Sequence, residues 1–526
     1  MLGLELVVVL SVALLVCHTL GDRLRVAPPV LLLAFGVGLG FIPAFASVDL
    51  PPETMLLLFL PALLYWESLT TSLREIRRDL RGIILMSTVL VILTAAAVAA
   101  IAHAFGIPWG PAWVLGAAVA PTDATAVGVL ARSLPRRNVT LLRAESLIND
   151  GTALVVYGLA VGITVGEEKF DLPHVSWLFV LSYVGGALAG ALTAWVGTLV
   201  RRRIDAPIPG NVAMIAIPFA AYLLAETVEA SGVLAVVVCG LIISQVGPRA
   251  GRADTRLQTN AFWSLATFML NGALFVLVGL ELPPAVEGLA SVGLADALIA
   301  VVAVYAAVIA LRFVFQFTAA YAIRLIDRRP KQRELRVGNR ARAVSAVAGF
   351  RGAVSLAAAL GVPVVLTSGE AFPDRDFIIF VTAGVIVLTL VINGLALPRV
   401  LRWANLPPDT ALDEEHALAE ATAAEEAMAA LPDVAAELDT DPRVIEQTRR
   451  EYQQHLEALH ADDPEGSDPV RRRDDYNALR LALIARKRAT VLRLRDERTI
   501  DDTVLRQIQT QLDIEEARLS RRDIVD

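Results

Sequence analysis

The chain has 526 residues, 55% of them hydrophobic, and a formal net charge of −7; its mean hydropathy is +0.58. No water-soluble core needs so many long apolar runs, which excludes a soluble globular protein and implies a polytopic membrane protein with lipid as its surroundings and no nucleic-acid partner. The charge is divided, with 17 Lys/Arg against 29 Asp/Glu in residues 405–526 and 30 against 25 in the remainder, so a membrane domain over 1–404 and a soluble tail over 405–526 are expected. Cys17 and Cys239 both lie in apolar runs, which suggests neither a disulfide framework nor a cysteine metal site.

Apolar stretches of spanning length fall at 2–20, 27–47, 54–72, 82–104, 111–131, 141–164, 176–200, 210–227, 231–246, 260–280, 294–323, 343–367 and 376–401, which predicts thirteen membrane helices. The first has no basic residue before it and no small-residue cleavage site, so it reads as a spanning helix and not as a signal peptide. The eighth and ninth are short and separate at Glu226 and Glu229. Alternate loops hold 26 Lys/Arg, from Arg23 and Arg25 to Arg399 and Arg402, while the opposite loops hold two, Lys169 and Arg375. Positive charge stays inside, so the N-terminus is expected outside a cell membrane and the tail in the cytoplasm.

The hairpin over residues 111–163 carries the chemistry. Its first arm is apolar up to Pro121-Thr122-Asp123, its turn holds Arg132, Arg136, Arg137 and Arg143, and its second arm opens with Glu145-Ser146-Leu147-Ile148-Asn149-Asp150-Gly151. Asp123 lies nine residues before Arg132, and Asp150 nine after Leu141. At 1.5 Å per residue each carboxylate sits roughly 13–14 Å from one surface, near the middle of a ~30 Å hydrocarbon layer. A charge there costs on the order of 2.5–3.5 kcal/mol or more, and its default role is in an ion or proton pathway. Ser146 and Asp150 share one helix face, Glu145 and Asn149 the neighbouring stripe. Asp150, Asp123, Ser146 and Thr122, with carbonyls freed where the first arm unwinds, can ligate a transported Na⁺, K⁺ or Li⁺. Burial favours the neutral carboxyl, so a proton and a cation compete for one site, which suffices for exchange without a cofactor or a nucleotide.

Two arginines, Arg312 and Arg351, fall inside apolar stretches. A buried arginine normally finds a carboxylate, and Glu145 is the unassigned one. Arg312, about twelve residues from Arg324, is the favoured partner; Arg351, about nine past Arg342 and able to snorkel, is the alternative. Glu67 lies toward the cytoplasmic end of the third stretch and is expected to reach Arg74 or Arg78. Asn271 and Asn393 are expected to hydrogen-bond between helices. The six histidines include no pair at metal-ligand spacing in the membrane part.

The fifth and twelfth stretches are both interrupted, at Pro121-Thr122-Asp123 and over Gly349 to Ser355. With the seventh set aside as a linker, the interruptions fall in the fifth helix of each six-helix half, and the halves have opposite topology. Corresponding broken helices point to inverted repeats with a midplane site. The tail reads as helical: residues 411–430 are Ala/Glu-rich, Pro432 and Pro442 punctuate, 461–469 is a loop, and 473–498 and 500–522 are amphipathic, the last with Leu505, Ile508, Leu512 and Leu519 on one stripe.

Thr122-Asp123, Glu145-Ser146-Leu147-Ile148-Asn149-Asp150-Gly151 and Phe350-Arg351-Gly352-Ala353-Val354-Ser355-Leu356 together resemble the signatures of the monovalent cation:proton antiporter-1 family, the bacterial and animal sodium/proton exchangers. The resemblance covers about residues 1–404 and not the tail. It implies Asp150 as the ion- and proton-carrying carboxylate, Asn149 as the mark of electroneutral members, Thr122, Asp123 and Ser146 as further ligands, and Glu145 bridged to Arg312. It also implies a homodimer with a dimerisation domain and a moving core, and a transporter, not an enzyme. The family usually follows its Thr-Asp with Pro; here Ala124 follows and the proline precedes at 121. One-for-one exchange is expected because neutral Asn149 precedes Asp150, Arg312 is too basic to release a proton, and Asp123 can stay hydrogen-bonded to freed backbone amides. A cation channel is the nearer alternative. An intramembrane aspartyl protease using Asp123 and Asp150 is the remoter one, disfavoured because Asp150 lacks a preceding Gly-x-Gly.

Overall fold

The computed structural model describes all residues except 1, 25, 43–44, 46–54, 124–135, 167–170, 205, 248–252, 290–291, 327–337, 407–410, 460–467, 498, 500–501 and 520–526. Among the described residues there is no β-strand, only one isolated bridge between Val365 and Ala371. The chain divides into two compact units, 1–408 and 409–526.

In the first unit, α1 (Leu2–Leu24) and α2 (Pro28–Gly40) are followed by a π-turn, Met55–Phe59, that leads into α3 (Leu60–Thr70). Next come α4 (Leu73–Ile84), a second π-turn at Leu85–Val89, and α5 (Leu90–Ala104). Ser72 caps α4 by accepting the backbone N–H of Glu75, the first half of a capping box. Then α6 (Trp109–Val119), α7 (Arg136–Val165), α8 (Leu172–Arg202), α9 (Pro207–Glu226) and α10 (Gly232–Val246) follow. The last are α11 (Ala253–Glu287), α12 (Leu294–Ile326), α13 (Asn339–Val347), α14 (Ala353–Leu360), and α15 (Arg375–Leu388), which passes through a π-turn at Thr389–Asn393 into α16 (Gly394–Ala404).

Seven of the described helical segments are long and apolar enough to cross a membrane, and five shorter apolar helices accompany them. Two interruptions of the apolar stretches stand out. Pro121 has no N–H to donate back to the carbonyl of Ala117, so α6 stops after 11 residues. The twelfth apolar stretch is divided between α13 and α14, with residues 349–352 outside either helix. Elsewhere the helices approach closely: a Cβ on Gly36 of α2 would lie 2.1 Å from the Val276 carbonyl of α11, and one on Gly279 of α11 2.2 Å from the Leu33 carbonyl. Small residues at both positions let the backbones touch. Asn393 accepts a hydrogen bond from the Tyr305 hydroxyl on α12 at 3.0 Å. The basic turn at 124–135 lies outside the described residues.

The second unit contains α17 (Ala411–Glu437), α18 (Pro442–Leu459), α19 (Asp468–Asp496) and α20 (Asp502–Leu519). Pro432 lies inside α17 and does not end it: the Ala/Glu-rich turns on either side are strong helix formers and carry the helix through. Pro442 opens α18, where its missing N–H costs nothing. Most of the loop expected over 461–469 lies outside the described residues. Leu505 and Leu512 are buried, and α20 is tied to α19 by Arg488, which reaches Asp513 at 2.5 Å and Glu516 at 2.6 Å, and by Arg480 to Glu515.

Candidate functional site

The two interruptions meet. Because α6 ends before Pro121, its last carbonyls have no helical acceptor role left. The Arg351 guanidinium fills that need: Nε donates to Val119 O at 3.1 Å, Nη2 to Ala120 O at 3.4 Å, and Nη1 to Gly349 O at 3.0 Å. In the opposite sense, Asp123 Oδ2 accepts the N–H of Ala353, the first residue of α14, at 3.3 Å, where a carboxylate also complements the helix dipole. The Asp123 N–H donates to Phe350 O at 2.8 Å. Each break therefore caps the helix end exposed by the other. Gly352 makes this fit possible, since a Cβ there would lie 1.7 Å from Asp123 Oδ2. The Arg351 N–H donates to Thr389 Oγ1 at 3.3 Å, a hydroxyl presented by the third π-turn.

Against this crossing α7 lays its polar stripe. Glu145, Ser146, Asn149 and Asp150 are all buried. Asn149 Nδ2 donates to Thr122 Oγ1 at 2.6 Å, while its Oδ1 is buried with no partner among the described residues. The amide thus ties α7 to the break. Asp150 lies in electrostatic reach of Asp123 and of Glu67. The structure brings together Asp150, Asp123, Thr122, Ser146 and Asn149, but two of the carbonyls freed by the break, those of Val119 and Ala120, are already taken by Arg351. A cation would meet a guanidinium there, so its ligands must come from the side chains.

Glu67 departs from its expected role. Its side chain hydrogen-bonds Ser146 and faces Asp123; of the two arginines it was expected to reach, Arg74 is exposed and the side chain of Arg78 lies outside the described residues. The sequence reading missed it as a site residue. The available signal was an ionisable group directly after the apolar run Phe59–Trp66. Thr389 was also missed, and nothing in its local sequence marks it.

Glu145 sits one turn away and faces elsewhere. Arg312 Nη1 donates to Glu145 Oε1 at 2.5 Å, and its Nε and Nη2 both donate to Ser345 O at 3.3 Å, near the C-terminus of α13. Gly349 leaves room for it, because a Cβ would lie 2.6 Å from Arg312 Nε. Arg351, the alternative partner, is wholly engaged with backbone carbonyls. Among the described residues no group of three or more His, Cys, Asp or Glu side chains is arranged to hold a metal ion, so a cation here would rely on hydroxyls, amide oxygen and water beside the carboxylates.

Comparison with known proteins gives consistent matches. A family profile described as "Sodium/hydrogen exchanger, transmembrane" matches residues 8–403. A Mycobacterium tuberculosis (strain H37Rv) protein, described as an uncharacterized Na(+)/H(+) exchanger, is 46% identical over 98% of this chain and 96% of its own length. The low-affinity Na(+)/H(+) antiporter NhaS1 of Synechocystis is 31% identical over 77% of this chain and 75% of its own. The solved sodium proton antiporter MjNhaP1 of Methanocaldococcus jannaschii superposes with a TM-score of 0.57 at 18% identity, over 77% of this chain and 100% of that one; at that identity the likeness concerns the fold.

Proposed function

The chain belongs to the sodium/hydrogen exchanger family, and we propose that it exchanges a monovalent cation, Na⁺ before K⁺ or Li⁺, for a proton across the cell membrane. The observation that carries this reading is the convergence of Asp150, Asp123 and Glu67 with the hydroxyls of Thr122 and Ser146 at the crossing of two interrupted helices. Asp150 is the carrier: it binds either the cation or the proton, and each fills the same negative charge. An empty site stays charged and resists crossing a low-dielectric barrier, so transport requires one cargo in each direction. Ser146, Thr122 and the free Oδ1 of Asn149 supply neutral oxygens around the ion, and Glu145 with Arg312 is a structural pair beside it.

We further infer thirteen membrane helices as two inverted six-helix repeats with α8 as linker, the N-terminus outside, the tail in the cytoplasm, and a homodimer. Exchange is one-for-one with Asp150 changing its proton, while Asp123 stays engaged with the α14 N-terminus, Arg312 with Glu145, and Glu67 with the Ser146 hydroxyl. Such a carrier serves sodium export and pH homeostasis. The test is proton flux in proteoliposomes driven by a gradient of each cation in turn, with wild type and Asp150→Asn. Cation-dependent acidification or alkalinisation is expected in the wild type alone; a purified, folded Asp150→Asn protein that retains it refutes the assignment.

A further inference from the structure

Much of α8 is turned outward: Val180, Val184, Leu188 and Trp195 are exposed. Tyr183 is half-buried and reaches inward to α7. Its hydroxyl lies 2.8 Å from Thr152 Oγ1 and also hydrogen-bonds Thr88, which the second π-turn presents. Thr152 donates its own proton to Ile148 O at 3.2 Å. Each hydroxyl has one proton to give, so the chain runs one way. Thr88 donates to Tyr183, Tyr183 to Thr152, and Thr152 to the α7 backbone two residues before Asp150. The Phe179 ring, one turn away on α8, lies against the Tyr183 ring with centroids 5.3 Å apart.

The helices that this chain joins are packed in two different ways. Backbone touches backbone between α8 and α10: a Cβ on Gly186 would lie 2.5 Å from Ser231 O, and one on Gly190 2.2 Å from Ala235 O. The Ser231 N–H also donates to Ser182 O at 3.2 Å. Backbone touches backbone again between α5 and α6, where a Cβ on Gly116 would lie 2.2 Å from Ala95 O. The helix α7 goes with α6, through Asn149 to Thr122 and through Thr164, whose Oγ1 lies 2.5 Å from the Cβ position of Gly110. Between α7 and α10 the fit is looser: the nearest atom to a Cβ on Gly151 is Leu234 Cδ1, at 3.6 Å. Close-packed pairs of this kind move as bodies, and a loose seam between them is where they slide or rotate. We infer that Tyr183 is a latch across this seam, a positioning residue whose hydroxyl holds α7, and with it Asp150, against α8 and α10, and whose bond to Thr152 is broken and remade in each exchange cycle. The inference rests on the exchange reading, since only a carrier that moves α7 gives the latch something to release.

The test uses full-length protein in proteoliposomes, with the maximal rate of Na⁺-driven proton flux read by a pH-sensitive dye and the melting temperature read in detergent. Tyr183→Phe removes the hydroxyl and keeps the ring on Phe179. It should raise the maximal rate about threefold, the factor by which an average hydrogen bond between membrane helices shifts an equilibrium, while the melting temperature stays level or falls. A side chain that only supports packing does not speed transport when weakened, so a rate that is unchanged or lower overturns the latch. A second arm covers a Tyr183→Phe protein that fails to fold. With the free cysteines Cys17 and Cys239 changed to Ser, Thr152→Cys and Tyr183→Cys are combined and joined by a bifunctional thiol crosslinker, completeness being checked by intact mass. Crosslinking should stop flux, and the two single-cysteine proteins treated alike should retain it. Undiminished flux in the crosslinked protein shows that nothing moves at this seam and overturns the inference. Flux absent from every protein, wild type included, refutes the exchange reading and the latch with it; flux that Tyr183→Phe does not raise refutes the latch alone.

Discussion

Arg312 and Glu145 should respond unequally to substitution, because their hydrogen-bond partners are unequal. Glu145→Gln removes one charge but leaves Arg312 its two bonds to Ser345 O. Arg312→Gln strands a buried carboxylate and also strips that carbonyl of both donors. Breaking a buried pair costs about 3–5 kcal/mol, and the lost contacts to Ser345 should add about 1.5–3 kcal/mol for Arg312→Gln. The double variant leaves no stranded charge, so a coupling of about 2–3 kcal/mol should be recovered. The charge swap, Glu145→Arg with Arg312→Glu, should not restore stability, because a carboxylate at 312 would face the Ser345 carbonyl. Thermal melts of the four purified proteins in one detergent measure the cycle. Additive losses, or a swap as stable as the wild type, would refute the reasoning.

Gly352→Ala should impair exchange, since its methyl would lie 1.7 Å from Asp123 Oδ2 and must dislodge the carboxylate from α14; proton flux in proteoliposomes checks it, and wild-type rates would show that the cap is dispensable. With the membrane potential clamped by valinomycin, exchange should not change with voltage; a rate or end-point ΔpH that follows the potential overturns one-for-one exchange. In the tail, the hydrogen bond from Arg480 holds the Glu515 carboxyl below its ordinary range. Its contribution is therefore present above the unfolded value and lost as pH falls through the lower folded one. Glu515→Gln should hasten proteolysis of α19 and α20 near pH 7, and the difference from wild type should vanish at strongly acid pH.

Hydropathy made the helices legible, because lipid demands long apolar runs whatever the fold. The α7 stripe was legible too, since i, i+4 spacing fixes which of Glu145, Ser146, Asn149 and Asp150 share a face. Rotation of one helix against another was not. The α3 segment is apolar up to Glu67 and shows no amphipathic phase that says which neighbour the carboxylate faces, so proximity in sequence pointed to Arg74 or Arg78 instead of Ser146. Asn149 shares its stripe with Glu145, but its amide is held by Thr122 across the interface, a partner that helical spacing does not reveal. The engagement of the Val119 and Ala120 carbonyls was hidden for the same reason: sequence reveals that a break frees them, not which distant side chain arrives.

That distance bears on how the protein is made. Arg351 reaches back 232 residues to Val119, and Ala353 reaches 230 to Asp123. During synthesis, the first interrupted helix must enter the bilayer long before either complement exists. Its bare carbonyls and carboxylate need water, lipid headgroups or the insertion machinery as temporary partners. The N-terminal half expressed alone should then be prone to degradation, and its recovery on co-expression with the C-terminal half would report the moment at which the two interruptions first engage.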